Sequence, residues 1–205
     1  FEDAAAPGFA PEDIHVLFTT HSIPSTDAAR SGPAEREFGD GGAYEAQHRA
    51  VAEVVMAAAR STGSGTDSPG WSLVFQSRSG PPSQPWLEPD INDSMREFAA
   101  KGIKAFIIVP LGFVSDHMEV KWDLDTEAME TAEELGVYAT RVPTPGIHPA
   151  YVSGLVDLVL ERVNGTPAAD RPALTALGPW YDVCRPGCCE NARLGFKPAL
   201  AGITP

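Results

Sequence analysis

Four short apolar runs recur along the chain, and each is followed by a stretch with helical character. IHVLFTT (14–20), WSLVFQS (71–77), KAFIIVP (104–110) and VYATRV (137–142) are rich in β-branched and aromatic residues and are bounded by polar or Gly/Pro segments. Such runs read as strands. Between and after them lie AYEAQHRAVAEVVMAAAR (43–60), INDSMREFAAKG (91–102), a stretch from 116 to about 135, and HPAYVSGLVDLVLERV (148–163). Length and composition predict helices there, the second ended by Gly102 as a left-handed cap. SIPSTDAARSGP (22–33) and the Pro-rich RSGPPSQPWLEPD (78–90) read as loops. Strands alternating with helices mean βαβ units and a parallel sheet, so the fold class is α/β, Rossmann-like, with four parallel strands flanked by helices. The unbroken apolar run at 104–110 predicts a strand covered on both faces.

Ligands on such sheets bind beyond the carboxyl ends of the strands. That rule selects three loops: THSIP after the first strand, SRSGPPSQPW after the second and LGFVSDHME after the third. Charge narrows what they can hold. With 15 basic and 28 acidic side chains the formal charge is −13. Nucleic acid is an unsuitable partner for that balance, because phosphates need clustered Lys and Arg. A cation suits it, and one or two local bases could still hold a small anion. No run approaches the ~20 apolar residues of a membrane helix. No basic segment followed by an apolar core opens the chain. Its three cysteines fall within six residues, a pattern of metal binding or free thiols in a reducing compartment, here the cytoplasm. FEDAAAPGFAPED (1–13) has linker composition, and a chain that opens on Phe1 is expected to be a fragment, a processed product or one half of a natural split.

The stretch SDHMEVKWDLDTE (115–127) is dense in acids. At 100° per residue, Glu119, Asp123 and Glu127 lie at about 300°, 340° and 20° from Asp116, and Glu130 and Glu134 continue the file. Trp122, Leu124, Ala128, Met129, Ala132 and Leu135 fall on the remaining arc. A stripe of this kind reads first as the solvated face of an amphipathic helix. Three features favour a site. Like charges at i,i+4 cost roughly 0.2–0.5 kcal/mol each, and no basic residue interleaves this stripe. Ser115, Asp116 and His117 sit just past a buried strand. His21 sits past another, at the same sheet edge; alone it would read as a structural histidine, and its weight comes from convergence with Glu119. Histidine plus carboxylates suits a borderline divalent ion such as Fe²⁺.

LFTTHSIPSTDA, FQSRSGPPSQPWLEPD and VPLGFVSDHMEVKWDLDTEA resemble the signature segments of ferrochelatases, which insert Fe²⁺ into a porphyrin in heme biosynthesis. PTPGIHP (143–149) and DLVLER (157–162) resemble the family too, so the likeness runs in order over about 14–163. It implies the second of two Rossmann-like lobes flanking a porphyrin cleft, with the first, N-terminal lobe outside this chain. It also implies residue roles. His21 and Glu119 face each other at the metal-insertion site, Asp123 and Glu127 continue an acidic metal path, and Ser115, Asp116 and His117 form a supporting shell. The helix is expected to widen into a π-turn. Porphyrin and ferrous iron are the expected partners, coproporphyrin III favoured over protoporphyrin IX. Arg78 could pair with a propionate or fix its loop to backbone carbonyls, with the second role favoured. Trp86 could face the cleft or the core.

YDVCRPGCCENARLGF (181–196) places Cys184, Cys188 and Cys189 around a Pro-Gly turn in an irregular extension, 164–205. Some ferrochelatases hold a [2Fe–2S] cluster, which takes four thiolates, so the resemblance implies a fourth ligand from outside this chain. Zinc is the alternative for these thiols. Two other activities stay open: a cobalt or nickel chelatase for a reduced tetrapyrrole, and a metal- or heme-binding module without catalysis.

Overall fold

The computed structural model describes residues 8–62, 68–191 and 195–197. The first seven residues of the expected linker, and 192–194 and 198–205 of the cysteine-bearing extension, lie outside them. Four strands form one sheet: β1 (Ile14–His21), β2 (Gly70–Gln76), β3 (Ala105–Val109) and β4 (Tyr138–Arg141). The order is β2-β1-β3-β4, and every pairing is parallel. Among the described residues there are five α-helices: α1 (Ser25–Ala28), α2 (Gly42–Thr62), α3 (Ile91–Ala100), α4 (Ala128–Leu135) and α5 (Pro149–Val163). A π-helical segment, Val120–Glu127, leads directly into α4. The predicted strands and helices are all present. The short α1 falls where turn chemistry had indicated loop; four residues are too few for a periodic signal.

Hydrophobic cores lie on both faces of the sheet. One joins Leu17, Val74, Phe106 and Ile108 to Ile91 and Met95 of α3, to Val120 and Leu124 of the π segment, and to Ala128 and Ala132 of α4. The other joins Val16, Phe18, Leu73, Phe75 and Ile107 to Ala52 and Met56 of α2. Alternate residues of β1 and β3 feed opposite cores, as a two-sided strand requires. Fully burying each large apolar side chain contributes about 1.5–3 kcal/mol. Gly102, at φ +99°, ends α3 as expected, one residue past its C-cap Lys101.

The architecture brings three loops to one sheet edge. His21 pairs in register with Gln76, so β1 and β2 end side by side. Phe18 pairs with Val109, after which the chain folds back over the end of β1. Gly112 permits this: its N–H donates to the Thr19 carbonyl at 3.0 Å, and a Cβ there would stand 2.1 Å from Thr20 Oγ1.

Candidate functional site

His21 is the last residue of β1, and its ring is one-third exposed at the sheet edge. Its Nδ1 donates to the Ser22 carbonyl. A carbonyl only accepts, so Nδ1 carries the proton in the neutral ring and Nε2 keeps a free lone pair. That Nε2 faces Glu119 Oε1 at 3.7 Å, and the Glu119 carboxylate is half exposed. The two residues singled out in sequence therefore meet, across an opening reached by solvent.

Behind His21 lies a polar network the sequence did not reveal. Tyr44 of α2 donates its hydroxyl to the His21 carbonyl at 2.8 Å. Thr20 Oγ1 sits 2.9 Å from that hydroxyl and 3.0 Å from His48 Nε2. Burial lowers the pKa of His48 and raises that of Tyr44, so it favours the neutral form of both. They fix backbone geometry without placing charge beside the histidine.

The acidic stretch departs from a uniform stripe. Helical conformation begins at Met118, so Asp116 lies in the preceding loop. It takes paired hydrogen bonds from Arg141 Nη1 (3.1 Å) and Nη2 (3.0 Å) and one from Thr144 at 2.9 Å. Desolvation pushes its pKa up, but these donors win and hold it below the usual carboxylate value. Asp125 also binds Arg141, and lies 2.8 Å from Lys121; hydrogen bonding from Arg141 is the main cause of its lowered pKa. The stretch is thus interleaved by bases, contrary to the expectation from its sequence, but only on the Asp116–Asp125 side. Farther along, Glu134 lies 3.9 Å from Arg96 of α3.

The π segment accounts for another departure. Its i→i+5 hydrogen bonds bring residues five apart onto one line. Trp122 Nε1 donates to Glu127 at 3.1 Å, and Thr126 Oγ1 to the Lys121 carbonyl at 3.3 Å. Trp122, expected on the apolar arc, is instead 57% exposed, while Leu124 and Val120 stay buried. Asp123 is tied to the end of β2: Gln76 Nε2 donates to it at 3.1 Å and Ser77 Oγ donates to the same oxygen. Among the described residues, Glu119, Asp123 and Glu127 form no ion pair with Lys or Arg.

His117 accepts the Glu119 N–H on its Nδ1 at 3.2 Å and so caps the start of this helix; its ring packs edge-on against Phe113. Ser115 accepts the His117 N–H on its carbonyl at 2.9 Å. Both lie in the turn that leads into the helix carrying Glu119. Arg78 is exposed and directs Nη2 at the Pro82 and Gln84 carbonyls, each 3.4 Å away, which is the loop-fixing geometry. Trp86 is half-buried, and its indole N–H has no partner among the described residues.

The cysteines lie apart, against the loop after α1. Cys188 and Cys189 Sγ are 3.6 Å apart, the Gly32 N–H donates to Cys189 Sγ at 3.2 Å, and Cys189 N–H donates to the Arg30 carbonyl. Burial, then the neighbouring Cys189 and Cys184 thiols, push the Cys188 pKa up to about 12. Cys188 therefore favours its protonated form until a cation compensates the thiolate charge. Three sulfurs are one short of a cluster's four thiolates. Among the described residues no three His, Cys, Asp or Glu side chains stand ready-arranged around an ion.

A family model described as Ferrochelatase matches residues 2–163. The coproporphyrin III ferrochelatase of Leifsonia xyli subsp. xyli is 69% identical over 197 residues, covering 94% of this chain and 49% of that protein. That of Tropheryma whipplei is 57% identical over 204 residues, covering 100% of this chain and 51% of the relative. The ferrochelatase of Rhodopirellula baltica is 43% identical over 199 residues, covering 97% and 50%. The chain spans about half the length of these curated relatives. A family match over most of its residues, with relatives up to 69% identical and a four-stranded parallel α/β sheet, leaves one assignment: the chain belongs to the ferrochelatase family.

Proposed function

We propose that this chain supplies the metal-insertion half of an enzyme that places ferrous iron in a porphyrin, coproporphyrin III in preference to protoporphyrin IX. The observation that carries the reading is the His21–Glu119 pair, with the lone pair on Nε2 and the carboxylate facing it at 3.7 Å. Insertion releases two pyrrole N–H protons as Fe²⁺ enters. In this reading His21 Nε2 takes one pyrrole proton as general base, passes it to solvent through the open edge and then takes the second, while Glu119 steers the iron. Asp123 and Glu127, without Lys or Arg partners among the described residues, offer exchangeable oxygens as the ion sheds water. Similarity to relatives called coproporphyrin III ferrochelatases supports the choice of porphyrin.

The reading divides the chain into a linker at 1–13, the chelatase lobe at 14–163 and an extension at 164–205. It places an N-terminal lobe of the same protein against this chain. The state of α5 supports this. None of its residues is buried, and Val152, Leu155, Val156, Val159 and Val163 are each at least 44% exposed. So large an apolar exposure marks an interaction surface. Among the described residues no helix is long and apolar enough to cross a membrane.

Cys184, Cys188 and Cys189 would hold a [2Fe–2S] cluster, with the fourth thiolate from outside the chain. Such a group supplies one-electron chemistry or a structural tie, and no step of insertion is routed through it. Cys188→Ser in anaerobically purified full-length protein should abolish cluster absorbance and bound sulfide; wild-type protein without either would refute the cluster. For the main reading, anaerobic Fe²⁺ insertion into the two porphyrins is compared side by side in the full-length protein. Turnover with coproporphyrin III ahead of protoporphyrin IX is expected, and insertion into neither would overturn it.

A further inference from the structure

The acidic stretch divides into two sets, and only one is left open to a cation. Glu119, Asp123 and Glu127 have no Lys or Arg partner among the described residues. Asp116 and Asp125 are joined through Arg141 at the end of β4, whose side chain is only 10% exposed. The guanidinium makes four hydrogen bonds to these two carboxylates: Nη1 and Nη2 to Asp116 at 3.1 and 3.0 Å, Nη2 to Asp125 at 2.9 Å, and Nε to the other Asp125 oxygen. Nη1 also reaches the Val142 carbonyl at 3.3 Å. Lys121 stands 2.8 Å from Asp125 and 3.6 Å from Asp116, so two acids face two bases and the cluster is neutral. Forked pairing to two planar carboxylates is a task for Arg; a lysine ammonium cannot reproduce it.

The clamp sits where the backbone most needs one. A π-helical stretch has poorer geometry than an α-helix and is held by its surroundings. Here Val120 and Leu124 anchor it to the core, Asp123 is tied to Gln76 and Ser77 at the end of β2, and Asp125 to Arg141 at the end of β4. β2 and β4 are the two outer strands of the sheet. Residues 123 and 125 are therefore pulled toward opposite edges, with His21 on β1 between them. Through Asp116 the same guanidinium also holds the loop that carries His117, the cap of the Glu119 turn.

We propose that Arg141 is a positioning residue for iron delivery, fixing the rotation of the π segment so that Glu119 and Asp123 point at the insertion site. This rests on the reading that those carboxylates handle the metal. Without the clamp the widened turn is free to relax toward α-helical register, which rotates Glu119 and Asp123 away from His21.

The test is made in the full-length protein, with Fe²⁺ and porphyrin titrated separately under anaerobic conditions. Arg141→Met should raise the KM for iron about tenfold or more, in keeping with the cost of small misplacements in a preorganised site, and leave the porphyrin KM within about twofold. Arg141→Lys should fail to restore it. Asp125→Asn, which spares the Asp116 arm, should shift the iron KM in the same direction by a smaller factor, and it decides the matter if Arg141→Met does not fold. Loss confined to melting temperature and active fraction, with both KM values unchanged, would overturn the clamp. His21→Ala run alongside separates the two ideas. Full activity there overturns the site itself; an inactive His21→Ala with wild-type iron KM in Arg141→Met and Asp125→Asn overturns the clamp alone.

Discussion

His15 makes folding pH-dependent at a site remote from the chemistry. It lies near the start of β1, is 8% exposed, stacks on Phe98 with ring centroids 3.8 Å apart, and meets Ser72 Oγ at 2.9 Å through Nε2. Burial, aided by the nearby positive charge of Lys101, lowers its pKa from the ordinary 6.5 to about 4. The sign follows from proton counting. Between pH 6.5 and about 4 the unfolded chain binds a proton at this ring and the folded chain does not, so stability falls as the pH drops through that window. At about 1.4 kcal/mol for each pH unit between the two values, the loss is about 3 kcal/mol by pH 4. Phe at this position keeps the stack on Phe98 and cannot titrate. Urea unfolding of wild type and His15→Phe at pH 7 and pH 4 isolates the effect, because His48, Asp90 and the other carboxylates titrate alike in both proteins. Wild type should lose about 3 kcal/mol more than the variant over that interval. Equal losses, to within about 1 kcal/mol, would refute a neutral, buried His15.

Two packing changes test the frame around the site. Gly112→Ala places a Cβ 2.1 Å from Thr20 Oγ1, and the displaced loop should cost about 1–3 kcal/mol, read as a lowered urea midpoint, together with weakened iron insertion. Leu124→Ala opens a cavity beneath the π segment, where Leu124 is fully buried, and should cost about 2–5 kcal/mol in the same measurement.

The layers of the fold were legible because each strand announces itself. Phe18, Phe75 and Ile107 belong to runs too apolar for a surface, and the helices between them fix parallel pairing. His21 and Glu119 were legible because both follow strands at the edge where such sheets place ligands. Arg141 was not. In VYATRV it is an ordinary cation at the end of an edge strand, and its partners Asp116 and Asp125 lie 25 and 16 residues away. Only the order β2-β1-β3-β4 brings them together. Gln76 and Ser77 were hidden for the same reason, since 46 residues separate Ser77 from Asp123. Asp116 was misplaced on the acidic stripe because extrapolating 100° per residue presumes that the helix has begun, and it begins two residues later. Trp122 was misplaced because that phase fails inside a π segment.

The most direct test of the insertion site is anaerobic Fe²⁺ insertion by His21→Ala in the full-length protein, with circular dichroism and thermal melting in parallel. The ring is one-third exposed and its main protein contact is the neighbouring Ser22 carbonyl, so the fold should survive with its melting temperature nearly unchanged. Insertion should fall to the uncatalysed rate, because the substitution removes the lone pair that faces Glu119 at 3.7 Å. Wild-type insertion by a well-folded His21→Ala would contradict the account.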